Sequence, residues 1–325
     1  MARNHHRTGI TIALLAALIV VAALAAACSA QATGGSSPIT QDADGAQPGS
    51  SPSSTASASG AKGAGSDWSR VLAALAFMRA TPPAEPVVVL LGGSAAREST
   101  ISDAGWRDQI VAKGGPETLA WNMGSRNRTM AQNVAVVRAL PKGIKALVYI
   151  GINLGSFTSA QKTATINLPS PAPSSVPLQQ PHQYSTKTGI LTSAKKRALV
   201  QGWLADRYPV YRRNFATSAG VLETLVKVCQ ARGYTPVLFE LPRNTSIIGG
   251  SLNTPTTKYR ANCKALAAKY GIRWVSLVNA ARVPNPSFYD LWHLVEPGRT
   301  VWQNLLSANA AKVLTSDGFT NGGGS

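Results

Sequence analysis

Continuous apolar runs alternate along the chain with segments in which apolar residues recur at helical spacing. The first run, Val87–Leu91, consists only of valine and leucine and leads directly into two glycines. A continuous β-branched and aliphatic run of this length is typical of a strand buried on both faces. Gly92 and Gly93 permit a sharp turn where this strand ends. The pattern therefore predicts a strand, a tight turn and a helix that begins near Ser94.

The same patterns predict the other elements of the chain. Further strands are expected over residues 119–123, 145–152, 235–241 and 272–277. Helices are expected over residues 68–80, 129–140, 193–207, 216–232, 255–270 and 297–314, with an irregular to helical region over residues 99–113. Strands that alternate with helices favour a parallel sheet covered on both faces. We therefore predict an α/β fold, a three-layer α/β/α sandwich with a central parallel sheet.

The first 28 residues have the pattern of an export signal. Arg3 and Arg7 precede an apolar run over residues 10–27, which ends in three alanines before Cys28. A basic start followed by such a run is typical of a secretory leader, and its length is at the lower limit for a membrane span. The alanines and Cys28 resemble the lipobox of bacterial lipoproteins, although Ala25 stands where that motif usually has leucine. Lipidation of Cys28, an uncleaved anchor and secretion all remain open.

The rest of the chain divides by composition. Residues 29–66 are rich in Ser, Ala, Gly and Pro, cannot bury a core and predict a flexible linker. We expect one folded domain over residues 67–316, with a long proline-rich loop insertion at residues 156–193. A loop of that length inside a domain is either functional or disordered. Residues 317–325 predict a flexible tail.

Charge and cysteine content narrow the location and the partners. The formal net charge is +18, from 32 Lys and Arg against 14 Asp and Glu. The basic residues are scattered, and an exported protein is not expected to meet nucleic acid, so we expect none as a partner. Attraction to an anionic membrane or cell-wall polymer would account for the same charge. We expect an extracytoplasmic protein tethered to the cytoplasmic membrane by its N-terminal segment, with secretion as the alternative.

The cysteines fit an oxidising compartment. If Cys28 carries lipid, Cys229 and Cys263 are a candidate disulfide, since both lie in predicted helices that flank one strand. Two buried free thiols are the alternative.

Candidate chemistry begins at Ser94, at the carboxyl end of a predicted strand, where open α/β sheets bind ligands. A serine hydroxyl is a weak nucleophile and needs a base, usually histidine, that a carboxylate orients. His293 follows Asp290 by three residues, whereas His182 lies in the long loop. Taken alone, Ser94 also fits a helix N-cap and Asp290 a helix entry. Arg97 and Glu98, just after the serine, are either first-turn surface residues or substrate contacts.

Two further strand ends supply candidate donors for an oxyanion. Gly124 follows the second strand and offers an unhindered backbone N–H, and Asn153 follows the third and offers a side-chain amide. Acyl transfer needs such donors because negative charge develops on the carbonyl oxygen. Asn and Gly also favour ordinary turns.

Together these blocks resemble the SGNH hydrolase family, also called GDSL-like esterases and acyltransferases. The resemblance lies in GGSAARES around Ser94, NMGSRNRT around Gly124, GIN at Asn153, and DLWH with Asp290 and His293.

The resemblance extends over residues 86–300, with two departures. Gly93 and Leu154 stand where many members carry aspartate. In both departures the chain is more similar to the divergent branches of the family that modify cell-envelope polymers than to its best-known secreted esterases.

The resemblance implies a serine esterase or O-acyltransferase acting on acyl esters of a cell-envelope glycan or lipid. Ser94 would be the nucleophile, His293 the base and Asp290 its orienting partner, and the Ser94 and Gly124 amides with the Asn153 side chain would form the oxyanion hole. Water or a sugar hydroxyl would resolve the acyl-enzyme. No cofactor or metal is expected, because no paired-His or Cys/His spacing is present. The alternative is a non-catalytic SGNH-like protein that binds envelope polysaccharide; the oligomeric state stays open.

Overall fold

The computed structural model describes residues 67–176, 179 and 183–319. The predicted leader, the linker and the end of the tail lie outside the described residues, as do Cys28 and His182. Among the described residues, no helix combines the length and the apolar character needed to cross a membrane.

Five parallel strands form the centre of the fold. They are β1 (Val87–Leu91), β2 (Leu119–Asn122), β3 (Ala146–Ile152), β4 (Thr235–Glu240) and β5 (Arg273–Ser276). All neighbouring pairs are parallel, in the order β2-β1-β3-β4-β5. Each predicted strand is present, and its ends agree with the prediction to within one residue.

Helices of very different length surround this sheet. They are α1 (Asp67–Ala80), α2 (Ser94–Arg97), α3 (Asp103–Ala112), α4 (Met130–Ala139), α5 (Ser193–Gly202), α6 (Tyr208–Ala231), α7 (Thr245–Ile248), α8 (Asn253–Tyr270), α9 (Val278–Ala281) and α10 (Glu296–Ser316).

Alternate residues of the central strands enter two separate cores. In β1, Val87 and Val89 pack in the core that also takes α1, α4, α6 and α8. Val88 and Leu90 pack in the other core, with α3, α9 and α10. Because successive strand residues point to opposite faces, a strand covered on both sides has to be apolar throughout. This arrangement confirms the predicted three-layer α/β/α sandwich.

The strand order creates a natural binding position. The connection after β1 leads to β2 on one side of β1, whereas β3 lies on its other side. In open α/β sheets, ligands bind at the carboxyl ends of the strands where the order reverses in this way. Ser94 follows β1 and Asn153 follows β3, so both lie at that reversal.

One predicted break between helices is wrong. The interval between the predicted helices over 193–207 and 216–232 is helical, because α5 continues through a π-helical segment, Trp203–Arg207, into α6. Pro209 lies in the first turn of α6 and has no N–H to donate to the preceding turn. A π-helical turn accommodates such an interruption without ending the helix.

The candidate disulfide is not formed. Cys229 on α6 and Cys263 on α8 are free thiols, both fully buried in the same apolar core. Burial raises the pKa of the Cys229 thiol to about 12 and also raises that of Cys263. The thiolate is the form that reacts, so this core keeps both thiols protonated and inert.

Candidate active site

Ser94 is presented by residues 92–97, which we call the nucleophile turn. Gly92 has a φ of +155°, and a Cβ there would lie 2.6 Å from the Cβ of Ala96. Gly93 accepts hydrogen bonds through its carbonyl from the N–H of Ala96 at 3.0 Å and of Arg97 at 3.1 Å. Gly93 is therefore the N-cap of α2, and Ser94 is its first residue. The hydroxyl of Ser94 is thus not used as a helix cap.

His293 and Asp290 lie in residues 285–295, which we call the acid–base loop. This loop folds back on itself, with an antiparallel bridge between Phe288 and Leu294, before α10 begins. Asp290 Oδ1 accepts hydrogen bonds from the backbone N–H of Trp292 at 2.8 Å and of His293 at 2.9 Å. The carboxylate therefore shapes the turn that returns His293 to it, as Asp side chains commonly do in turns.

The three predicted catalytic residues form one hydrogen-bonded chain. His293 Nδ1 lies 2.7 Å from Asp290 Oδ2, and His293 Nε2 lies 2.8 Å from Ser94 Oγ. An ionised carboxylate can only accept, so Nδ1 carries the imidazole proton and Nε2 is free to accept the serine proton. The His293 and Asp290 side chains are 14% and 15% exposed, so a substrate can still reach these hydrogen-bonded residues. The geometry is that of a nucleophile, a general base and an orienting group.

Charge pairing outweighs burial in this chain. Burial acts to lower the pKa of His293, but the charge of Asp290 and its hydrogen bond raise it above its ordinary value. Burial acts to raise the pKa of Asp290, but His293 and the two backbone donors lower it below its ordinary value. Asp290 therefore stays ionised and supports a positive charge on His293.

Two of the three predicted oxyanion donors have no partner among the described residues. The N–H of Ser94 is at the first position of α2, where no intrahelical acceptor exists. Asn153 Oδ1 accepts from the N–H of Ser156 at 3.2 Å, which leaves its Nδ2 as a donor. Both groups belong to the carboxyl ends of adjacent strands.

The third predicted donor, the N–H of Gly124, is engaged. It donates to Asn122 Oδ1 at 2.9 Å. The glycine has a packing reason as well, because a Cβ at Gly124 would lie 2.4 Å from the backbone nitrogen of Arg97. Gly124 thus allows the end of β2 to touch the nucleophile turn directly, and in this conformation it supports that turn through packing.

Glu98 is a buried partner of the site and is not the first-turn surface residue that was one of its two predicted alternatives. It is 0% exposed, and its carboxylate accepts hydrogen bonds from Arg299 and Arg97. Burial raises the pKa of Glu98 although both arginines act to lower it. Its charge in turn contributes to the raised pKa of His293. Sequence reasoning missed this role because Arg299 is 201 residues away along the chain.

A buried lysine holds the acid–base loop. Lys196 on α5 is 0% exposed, and its Nζ donates to the Asn285 carbonyl at 3.0 Å, to Asn285 Oδ1 at 2.9 Å and to the Phe288 carbonyl at 2.6 Å. Asn244, also buried, donates through Nδ2 to Asn285 Oδ1 at 2.9 Å and to the Asp290 carbonyl at 3.3 Å. No sequence pattern distinguishes Lys196 from its solvent-exposed neighbours on α5.

An aromatic side chain from the predicted long loop covers the histidine. The ring of Tyr184 lies 4.7 Å from the ring of His293 and 4.2 Å from the ring of Tyr289, measured between centroids.

In the described part of the chain, no group of three or more His, Cys, Asp or Glu is arranged to hold a metal ion.

Comparison with known proteins yields structural matches only. No protein-family model and no curated protein matches the chain. The solved structures that resemble it include a proposed acylhydrolase from Bacteroides fragilis, with 16% identity and a TM-score of 0.39 over 74% of this chain and 95% of that one. A Lactobacillus plantarum protein matches with 14% identity and a TM-score of 0.41, over 71% of this chain and 97% of that one.

A third match is AlinE4, an SGNH-hydrolase family esterase. It has 16% identity and a TM-score of 0.36, over 71% of this chain and 96% of that one. These identities and scores are low, and the function of this chain is therefore inferred below from its own residues.

Proposed function

We propose that the protein is a serine esterase or O-acyltransferase whose nucleophile is Ser94. The observation that carries the proposal is the continuous hydrogen-bonded chain from Ser94 Oγ through His293 to Asp290, with distances of 2.8 Å and 2.7 Å. These are the distances that proton transfer requires. A protein that only binds a ligand has no need of this arrangement at the carboxyl edge of its sheet.

Acylation uses each member of the chain in turn. Ser94 Oγ attacks the ester carbonyl carbon while its proton passes to His293 Nε2, and Asp290 stabilises the imidazolium that forms. The N–H of Ser94 and Nδ2 of Asn153 are the donors available for the oxyanion. When the intermediate collapses, the ester C–O bond breaks and His293 returns the proton to the leaving alcohol oxygen. The acyl group is then bound to Ser94.

Deacylation reverses these roles. Water or a sugar hydroxyl gives its proton to His293 Nε2 and attacks the acyl carbon. The bond to Ser94 Oγ breaks, and His293 returns the proton to the serine. When water is the acceptor, the product is a carboxylic acid. When a sugar hydroxyl is the acceptor, the product is a new ester.

The export pattern of residues 1–28 and the net charge of +18 support a location at the cell envelope. We propose that the protein acts there, outside the cytoplasm, on an acyl ester of an envelope glycan or lipid. The basic charge favours anionic surroundings at that surface.

The test is covalent labelling by a fluorophosphonate together with turnover of small acetate esters. We expect labelling at Ser94 alone, with its loss in Ser94→Ala and its retention in Ser251→Ala, an exposed serine that serves as the matched control. Ser94→Ala should lower kcat by about 10⁴-fold or more. If the folded wild-type protein neither labels nor turns over any ester, the proposal is wrong and the non-catalytic binding function is favoured.

A further inference from the structure

A short segment of the long loop is tied to the site although it has little regular structure. We call residues 183–191 the strap. The N–H of Gln183 donates to Glu98 Oε1 at 3.3 Å, and the Tyr184 carbonyl accepts from the guanidinium of Arg299. Arg299 is itself buried and paired with Glu98. An ion pair removed from water is costly to break, so this end of the strap is held firmly.

The other end of the strap is tied to the same neighbourhood. The N–H of Thr186 donates to Glu296 Oε2 at 2.9 Å, at the start of α10. The N–H of Leu191 donates to the Tyr289 carbonyl at 3.1 Å, within the acid–base loop. The strap therefore keeps a defined position beside His293, and its side chains are pre-organised there.

Tyr184 and Tyr289 form an aromatic pair at the histidine. Their rings are stacked, with 4.2 Å between centroids and 22° between planes. The ring of Tyr184 also meets the imidazole of His293 at 4.7 Å. Both tyrosines are partly exposed, and neither hydroxyl has a hydrogen-bond partner among the described residues. The pair is therefore open to a ligand at the edge of the catalytic chain.

The proton transfers at His293 decide which part of a substrate lies beside Tyr184 and Tyr289. In acylation His293 Nε2 gives a proton to the alcohol oxygen of the leaving group, and in deacylation it takes one from the acceptor, which is water or a sugar hydroxyl. That oxygen has to come within hydrogen-bond distance of Nε2, whatever the acyl group is. Tyr184 contacts the same imidazole, so the alcohol portion of the substrate, not the acyl chain, is the part that comes nearest to it.

We infer that Tyr184 and Tyr289 form a stacking surface for the alcohol moiety of the substrate and that this alcohol is a carbohydrate ring. The inference rests on the proposed function and specifies its substrate class. A sugar ring has apolar C–H faces and a polar rim, which matches two stacked rings whose edge hydroxyls have no partner among the residues that the structure describes. Tyrosine supplies such amphipathic contact area at a rigid position.

The main test compares two acetate esters that differ only in the alcohol, and octyl acetate is a third ester that presents a lipid-like alcohol. Methyl 6-O-acetyl-glucoside presents a sugar ring, and ethyl acetate presents none. We expect Tyr184→Ala to lower kcat/KM for the sugar ester by about 10-fold or more, and that for ethyl acetate by about 3-fold or less. Tyr184→Phe keeps the ring and should stay within about 3-fold of wild type on both esters.

The matched control is Tyr270→Ala. Tyr270 is also partly exposed, but it ends α8 at the opposite edge of the sheet, before β5 begins. It should leave the ratio of the two kcat/KM values unchanged. Thermal unfolding of each variant checks that the fold is retained.

Three outcomes would overturn the inference. Equal losses on both esters in Tyr184→Ala would mean that the ring only packs against the imidazole. A loss in Tyr184→Phe as large as in Tyr184→Ala would assign the effect to the hydroxyl. A larger loss on octyl acetate than on the sugar ester would identify the occupant as a lipid alcohol. In each case, retained fluorophosphonate labelling at Ser94 would show that the proposed function itself still holds; absent labelling in wild type would overturn both.

Discussion

The nucleophile turn and the acid–base loop bring their residues to the same hydrogen-bonded chain by different means. Backbone packing holds the nucleophile turn: the N–H of Ser125 donates to the Gly92 carbonyl at 3.2 Å, and Gly124 lies against the backbone of Arg97. Side chains from distant elements hold the acid–base loop, chiefly Lys196 of α5 and Asn244 after β4.

This difference has consequences for how each region tolerates change. A turn packed backbone against backbone has no room for an added atom, because neither side can adopt another rotamer. A loop held by side-chain hydrogen bonds keeps its fold when one donor is lost but leaves buried acceptors without partners. We therefore expect the nucleophile turn to lose its geometry when an added atom overpacks it. We expect changes in the acid–base loop to reduce activity gradually, as His293 moves out of alignment.

The largest effect is expected from Asp290→Asn, which alters the electrostatics of the acid–base loop while keeping its shape. An amide oxygen can still accept from the N–H groups of Trp292 and His293, but it bears no charge. We expect kcat to fall by about 10⁴-fold. The measurement is steady-state turnover of an acetate ester over a range of pH.

The same experiment tests the direction of the pKa shift. Catalysis needs neutral His293, so activity is lost as the pH falls through its pKa, which Asp290 raises in the wild type. Without that charge, burial lowers the pKa, and the residual activity of Asp290→Asn should persist to lower pH. The control is Asp317→Asn, on the surface at the far end of α10. It should not move the acid limb of the pH–activity profile, which is the range where activity falls as the pH falls. An unmoved acid limb in Asp290→Asn would contradict the assigned pairing.

The next largest effect is expected from Gly124→Ala, which tests the backbone packing of the nucleophile turn. Gly124→Ala places a Cβ 2.4 Å from the Arg97 nitrogen, so the nucleophile turn has to shift. We expect destabilisation by about 1–3 kcal/mol and a fall in kcat of about 100-fold. Chemical denaturation and ester turnover measure the two.

Gly220→Ala is the matched control for that substitution. A Cβ at Gly220, within α6, meets nothing within 4 Å. It should stabilise the protein by about 0.5–1 kcal/mol and leave activity unchanged. Full activity in Gly124→Ala would contradict the role given to backbone packing.

A smaller effect on kcat is expected from Lys196→Met, which tests the side chains that hold the acid–base loop. The substitution removes the donor to the carbonyls of Phe288 and Asn285 and one of the two donors to Asn285 Oδ1, which keeps its bond from Asn244 Nδ2. We expect a loss of about 2–4 kcal/mol in stability and a fall in kcat of about 10-fold, with KM little changed. Lys195→Met removes an exposed charge from the same helix and should change neither quantity. A wild-type kcat in Lys196→Met would mean that the loop is held by other contacts.

The smallest effect concerns the free thiols, which belong to neither region. A reductant should leave the thermal unfolding temperature unchanged, because Cys229 and Cys263 form no bridge to break. Alkylation under denaturing, non-reducing conditions followed by mass spectrometry should find both thiols modified. A linked peptide containing both cysteines would contradict this arrangement.

The elements and the three members of the hydrogen-bonded chain could be predicted from the sequence. Val87–Leu91 was predicted with both ends correct, because a run buried on both faces has an unbroken apolar pattern. Ser94, Asp290 and His293 were recognisable because a few residue types supply a nucleophile, a base and an orienting carboxylate, and His293 lies next to its carboxylate along the chain.

The contacts that support those residues could not be predicted, because they exist only in the folded chain. Charged residues such as Glu98 and Lys196 look solvent-exposed in a sequence, because burying an unpaired charge is too costly. Their partners lie 201 and 92 residues away, so the compensation exists only in the folded chain. The engaged N–H of Gly124 and the position of Tyr184 on His293 depend in the same way on segments that meet only when the sheet has formed.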